Sequence, residues 1–155
     1  MIQRIQTLYL LLATAMMSLT LFLPLATIVY GGNELVLKAF SVSGAEGFGG
    51  SLPLYLGALL AVTTLLLVVI IFMYKKRLAQ IRLCVATIVL LLGSAAFIGL
   101  YSYRLCDLLS GMNYDKVFTL GFASLMPVVA IIPVVLAIRG IARDEALVRS
   151  LDRIR

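Results

Sequence analysis

Four long apolar stretches dominate the chain, and shorter polar segments separate them. None of the four carries Asp, Glu, Lys or Arg in its interior, and each is long enough for an α-helix to cross the hydrocarbon core of a bilayer, which takes about 20 residues. The pattern predicts an all-α integral membrane protein, an antiparallel bundle of four transmembrane helices in a single domain of residues 1–155. The predicted spans are 8–30, 52–74, 83–103 and 118–138. The first is longer than the apolar core of a signal peptide, about 7–15 residues, so we expect a retained helix.

Basic residues lie mostly on one side of this predicted membrane domain. Ten of the 13 lysines and arginines fall near residue 1, in the segment 75–82 or in the tail 139–155, and three fall in the segments 31–51 and 104–117. Cytoplasmic segments carry the excess of basic residues in membrane proteins. Both termini and the inner loop 75–82 are therefore predicted to be cytoplasmic, with 31–51 and 104–117 as outer loops. This bias accounts for the net charge of +6, so we expect no nucleic-acid partner.

Composition supports a membrane protein and disfavours an enzyme. Apolar residues make up 63% of the chain and charged residues 13%, whereas soluble domains are about half apolar and a quarter charged. The chain has no histidine, the commonest residue in zinc sites and general-base catalysis. We therefore predict no enzymatic activity, no cofactor and no metal site. Cys84 and Cys106 are predicted to be free thiols, because their separation of 22 positions would span about 33 Å of helix, beyond the reach of a disulfide.

Three of the four prolines lie beyond the first turn of a predicted span and are expected to kink it. Pro24 lies late in the first span, and Pro127 and Pro133 lie in the fourth. A proline within a helix removes a backbone hydrogen bond and bends the helix. Paired kinks can form a gate, although proline is also common in membrane helices as a structural residue.

The two outer segments differ in composition. Residues 35–42 contain strand-forming side chains, and several glycines follow them, so a short β-hairpin or an ordered turn on the bundle is expected, or a loop that docks a partner. The segment 104–117 contains Arg104, Asp107 and Asp115, which are predicted to be solvated charges. A lipid-modifying or lipid-binding role for these three residues is a weaker alternative.

The inner loop and the tail carry the predicted interaction surface. The inner loop is short and basic, which suits contact with anionic headgroups, worth about 1 kcal/mol per basic residue, or with a partner. The tail repeats apolar residues at helical spacing, so it is predicted to continue the fourth helix. It could lie on the membrane surface, dock on the inner loop through Asp144, Glu145 and Asp152, or dock on another subunit. The predicted partner or headgroup surface consists of Lys75, Lys76, Arg77, Arg82, Leu147, Val148 and Leu151.

Three stretches carry a family resemblance: residues 1–13, residues 71–84 and the tail 138–155 with its Asp-Glu-Ala-Leu-Val-Arg-Ser sequence. Together they resemble the small four-helix membrane proteins of Bacteroidota that are grouped as a domain of unknown function, number 4293. The resemblance covers the whole chain. It implies a bacterial inner membrane and no particular activity.

These features favour a non-enzymatic accessory or scaffold subunit of a bacterial inner-membrane complex. Its expected partners are another membrane protein and the anionic headgroups at the cytoplasmic face. The alternative is a small uncoupled channel or transporter for a small solute, lined by threonine and serine hydroxyls and shaped by Pro127 and Pro133.

Overall fold

Four long helices form most of the structure, a computed structural model that describes residues 3–44, 53–74, 76–110 and 116–152. All four are long and apolar enough to cross a membrane, which agrees with the predicted number of spans. Helices that follow one another in the chain pack together, and the last packs against the first. They are α1 (Gln3–Phe22), α2 (Leu54–Phe72), α3 (Arg77–Ser110) and α4 (Met126–Asp152).

Each helix buries one narrow seam and exposes apolar residues elsewhere. In α1 the buried seam contains Leu10, Ala13 and Met17, a spacing of three and four that keeps one face of a helix toward its neighbours. Side chains off the seams are apolar too: Leu65 of α2 is 64% exposed and Ile132 of α4 is 61% exposed. Helices that are apolar on every face suit a lipid environment.

The all-α prediction is wrong at one end of the bundle, where a four-stranded antiparallel sheet covers the helices. We call this the sheet end. The strands lie in the order β3–β2–β1–β4, so β1 and β2 are central. They are β1 (Ala26–Tyr30), β2 (Asn33–Leu37), β3 (Val42–Ser43) and β4 (Lys116–Leu120).

A two-residue turn joins β1 to β2. Gly31 and Gly32 have φ angles of 51° and 83°, as a type I′ hairpin turn requires, and glycine adopts both without steric cost. Tyr30 and Asn33 pair on either side of the turn. The hairpin predicted for the segment 31–51 is therefore present, but its first strand lies in the stretch predicted to be helical.

The first predicted span is too long at its C-terminal end. Helix α1 ends at Phe22, and Pro24 follows, which disfavours helical backbone in the residue before it. Ala26 and Ile28 are buried while the residues between and after them are half-buried, the two-residue alternation of a strand. Pro24 therefore lies beyond the helix, and the kink predicted there is wrong.

The fourth predicted span begins too early. Residues 116–120 form β4, and a short 3₁₀ helix, Phe122–Leu125, leads into α4. Pro127 is the second residue of α4, within the first turn, where a missing N–H costs little, so no kink arises there. Pro133 lies inside α4, and a kink at Pro133 stays a prediction.

The sheet packs on the end of α3, which runs beyond the predicted residue 103 to Ser110. Ile28 and Leu35 form a small core with Leu105 and Cys106 of α3. Both cysteines are free, Cys84 buried and Cys106 half-buried, as predicted. The sheet therefore packs on residues of α3 that lie beyond the predicted end of the third span.

Candidate functional site at the basic end of the bundle

The opposite end of the bundle, which we call the basic end, joins the start of α1, the α2–α3 turn and the last third of α4. Its centre is Asp144, whose side chain is only 9% exposed. The amide Nε2 of Gln6 donates a hydrogen bond of 2.7 Å to Asp144 Oδ2, and Gln6 is itself 8% exposed. Nη1 of Arg77 donates to the backbone carbonyl of Asp144 at 3.3 Å. One residue of α4 therefore ties α1 and the start of α3 together.

Close backbone approach supports this contact. A Cβ atom at Gly140 would lie 2.9 Å from Cγ of Gln6, so a larger residue would push the Gln6 side chain away from Asp144. The α2–α3 turn is held separately, because the Ile70 carbonyl near the end of α2 accepts from Nε2 of Gln80 at 3.3 Å as well as from the backbone N–H of Met73 at 3.2 Å. Side-chain hydrogen bonds from Gln6, Arg77 and Gln80 thus help to fix the described part of the basic end.

An open groove of about 1100 Å³ lies between the α2–α3 turn and α4. Its cationic side chains are Lys76 and Arg82, both exposed, and Arg77, which is half-buried. Glu145 contributes a carboxylate from α4. The groove is lined by Met73, Tyr74, Lys76, Arg77, Leu78, Ala79, Arg82, Leu83, Glu145 and Val148.

Several residues of the predicted interaction surface meet at this groove. Lys76, Arg77 and Arg82 line it together with Val148, while Leu147 is 57% exposed on α4. The remaining two cannot be placed in the same way: Lys75 and the side chain of Leu151 lie outside the described residues.

One of the two chain segments around the groove differs from its predicted form, and the other agrees with it. The inner loop 75–82 is helical from Arg77 onward, and the tail continues α4 through Gly140 without a break, as predicted. The described part of the tail contacts the protein's own basic segment, and a position on the membrane surface or on another subunit stays a prediction. The contact runs through the backbone carbonyl of Asp144 and the Arg77 guanidinium.

The sequence prediction missed two polar residues that hold the basic end, Gln6 and Gln80, and the space that Gly140 leaves for Gln6. A signal for the two glutamines exists. Gln6 lies four residues before Leu10, and Gln80 four residues before Cys84, so each extends the buried seam of its helix. A glutamine that continues an apolar seam predicts a hydrogen bond between helices, because a buried amide needs a partner.

The chemistry available here is recognition of charged and apolar groups. Within the described ranges, no three His, Cys, Asp or Glu side chains come together as the ligands of a metal ion would. Arg104 and Asp107 lie exposed in the last turns of α3, near the sheet end, far along the helix from the groove, and Asp115 lies outside the described residues.

Comparison with known proteins yields a family and no individual relative. Neither the curated proteins nor the solved structures include a match to this chain. The family described as "Domain of unknown function (DUF4293)" matches residues 2–154, nearly the entire sequence, which confirms the resemblance seen in the three stretches. The chain therefore belongs to the DUF4293 family.

Proposed function

We propose that the protein is a non-enzymatic accessory or scaffold subunit of a bacterial inner-membrane complex. The observation that carries this proposal is the exposed apolar surface at the end of α4, beside the basic groove. Leu147 is 57% exposed and Val148 is 41% exposed, and both follow directly after the segment anchored by Asp144.

The anchoring makes this surface suitable for a partner. Because Asp144 bonds to Gln6 and its carbonyl accepts from Arg77, the start of the exposed segment has a fixed position relative to α1 and α3. A surface that is ordered before binding loses less entropy when a partner docks. Exposed apolar side chains next to charged ones are typical of protein interaction sites.

The same proposal places the basic end in the cytoplasm, with both termini inside. Support comes from the basic residues, ten of which belong to segments on this side, as cytoplasmic segments require. Single cysteines test it in a chain without native cysteines: Asn33→Cys at the hairpin turn and Lys76→Cys at the groove, both at exposed positions. A maleimide that cannot cross membranes should label Asn33→Cys in spheroplasts and leave Lys76→Cys unlabelled until lysis. The reverse pattern would invert the orientation.

The hydroxyl groups bear on the alternative of a small channel. Thr63, Thr87 and Ser94 are buried, and each donates to a carbonyl three or four residues earlier in its own helix, at 2.7–2.8 Å. A hydroxyl bonded in this way satisfies its own helix and does not offer its proton to a passing solute. Leucines such as Leu60 and Leu91 fill the same seams. This pattern supports a scaffold over a pore.

Affinity capture from native membranes tests the scaffold proposal. A tag inserted within residues 45–50 leaves the tail unmodified, and mass spectrometry identifies co-purified proteins. We expect a partner in stoichiometric amount, lost from Leu147→Ser/Val148→Ser. A matched control is Val117→Ser/Leu120→Ser, which changes exposed apolar residues of β4 at the sheet end and should retain the partner. Purification of the unmodified protein alone, in a mild detergent, would contradict the proposal.

A further inference from the structure

We propose that the groove at the basic end binds an anionic phospholipid whose headgroup carries two phosphates. The inference rests on the membrane placement proposed above, and it adds a lipid site to the protein surface on α4. The groove has the three properties such a ligand needs: cationic side chains, an apolar wall and a position where apolar helices end.

Charge favours an anion with about two negative charges. Three cationic side chains, Lys76, Arg77 and Arg82, and one carboxylate, Glu145, line the groove, which leaves a net charge of +2. Arg77 is positioned by its bond to the Asp144 carbonyl at 3.3 Å. A guanidinium has five N–H donors, so Arg77 retains donors for a phosphate oxygen, which arginine binds in a favourable geometry.

Apolar side chains distinguish a lipid from a soluble phosphate compound. Leu78, Leu83 and Val148 line the same groove as the cations, and Leu78 is 50% exposed. A headgroup held by the cations would leave its acyl chains against these residues. The groove is open, and its volume of about 1100 Å³ lies just above the range of about 300–1,000 Å³ for small-molecule sites, so it has room for a large headgroup.

The depth of the groove also suits a headgroup. The apolar helix α2 ends at Phe72, directly before the groove residues Met73 and Tyr74. Tyrosine is enriched at the level of the headgroups. Helix α3 starts at Arg77 with no acidic residue in its first turn, so its positive end adds to the attraction for an anion. Basic pockets between membrane helices on the cytoplasmic side bind doubly charged lipids such as cardiolipin.

Thermal unfolding of the purified full chain in a mild non-ionic detergent tests the proposal. Cardiolipin is titrated, and the rise in Tm with lipid concentration gives the apparent affinity. Lys76→Gln/Arg82→Gln removes two exposed cations of the groove. Arg139→Gln/Arg143→Gln removes two exposed cations of α4 that do not line it, so both variants lose the same charge near the same end.

We expect a saturable rise in Tm for the unmodified protein and for Arg139→Gln/Arg143→Gln. Because Lys76→Gln/Arg82→Gln removes two cations of the groove, it should bind cardiolipin about 30-fold more weakly, which corresponds to about 2 kcal/mol. Phosphatidylglycerol at equal total phosphate should give a smaller shift, since one phosphate engages fewer of the cations. Sodium pyrophosphate should give no shift, since it lacks acyl chains.

Three results would overturn the proposal. Equal weakening in both double variants would show attraction to overall charge rather than a site. An equal shift with pyrophosphate would identify a soluble ligand, and an equal shift with phosphatidylglycerol would exclude selection for two phosphates. All of these are measured on the isolated protein, so they leave the capture of a protein partner as a separate test.

Discussion

Replacing Gln6 with methionine should destabilise the bundle, because it leaves the buried carboxylate of Asp144 without the amide that donates to it. The hydrogen bond is 2.7 Å long, and both side chains are less than a tenth exposed. A buried acceptor that loses its partner costs about 1–3 kcal/mol, whereas hydrogen bonds between membrane helices average about 0.6 kcal/mol and reach about 1.7. The short distance and the burial favour the upper part of the range for membrane helices. We therefore expect Gln6→Met to lower the free energy of unfolding by about 1.5 kcal/mol.

A double-mutant cycle separates this hydrogen bond from other effects of the substitution. Asp144→Leu leaves the Gln6 amide unpaired, but Gln6→Met/Asp144→Leu places two apolar residues together and should cost less than the sum of the single variants. We expect a coupling energy of about 1 kcal/mol, since contacting residues show about 0.5–3 kcal/mol.

The assay is reversible unfolding of the purified protein in mixed micelles of increasing dodecyl sulfate content, followed by helical circular dichroism. Thr63→Val is a control, because its hydroxyl bonds to the carbonyl of Leu59 in its own helix, and we expect no coupling of Thr63→Val with Gln6→Met. If the loss of unfolding free energy in Gln6→Met/Asp144→Leu equals the sum of the losses in the two single variants to within about 0.3–0.5 kcal/mol, the reasoning is refuted.

Two further predictions concern packing at the sheet end and along α3. Gly57→Ala should lower the free energy of unfolding by about 1–3 kcal/mol, because a Cβ there would collide with the ring of Phe40. Gly93→Ala is the control, because a Cβ at Gly93 has no atom within 4 Å. This control should leave the free energy of unfolding unchanged or raise it by up to about 1 kcal/mol through helix propensity. Equal effects of the two in the same unfolding assay would contradict the packing of the segment after β2 on α2. N-ethylmaleimide should modify half-buried Cys106 before Cys84, which is 0% exposed, and both should react after denaturation. Mass spectrometry of digests measures the two modification rates. Similar rates in the native protein would argue against the buried seam of α3.

Helix number was predictable, but the helix ends near the sheet were not. Residues 23–30 and 118–125 are as apolar as the helices they follow or precede. In a wholly apolar stretch, hydrophobic periodicity does not separate a buried strand from a helix. Pro24 and the Gly31-Gly32 pair were the local signals for a helix end and a hairpin turn, and the strand between them has the β-branched residues Thr27, Ile28 and Val29.

The candidate site was predictable in part. The basic residues of the groove were identified from their clustering, because a run of lysines and arginines between two apolar spans is visible in the sequence. Asp144 was considered only as a possible contact to the inner loop, whereas its side chain accepts a hydrogen bond from Gln6 of α1. Its burial depends on Gln6, which lies 138 residues away in the chain, and on the space left by Gly140.

By itself, the sequence determined that this protein has four apolar helices, that its cysteines are free and that its charges gather at one end, since each follows from local composition and from distance along one helix. Tertiary structure alone decided the four-strand order of the sheet and the presence of the groove. Strand β1 is held on one side by β2 and on the other by β4, which comes about 90 residues later in the sequence, and the groove exists because α4 packs against the α2–α3 turn. Both depend on pairing between distant segments, and the hydrogen bonds and contacts that stabilise such pairing have no signature in either segment read alone.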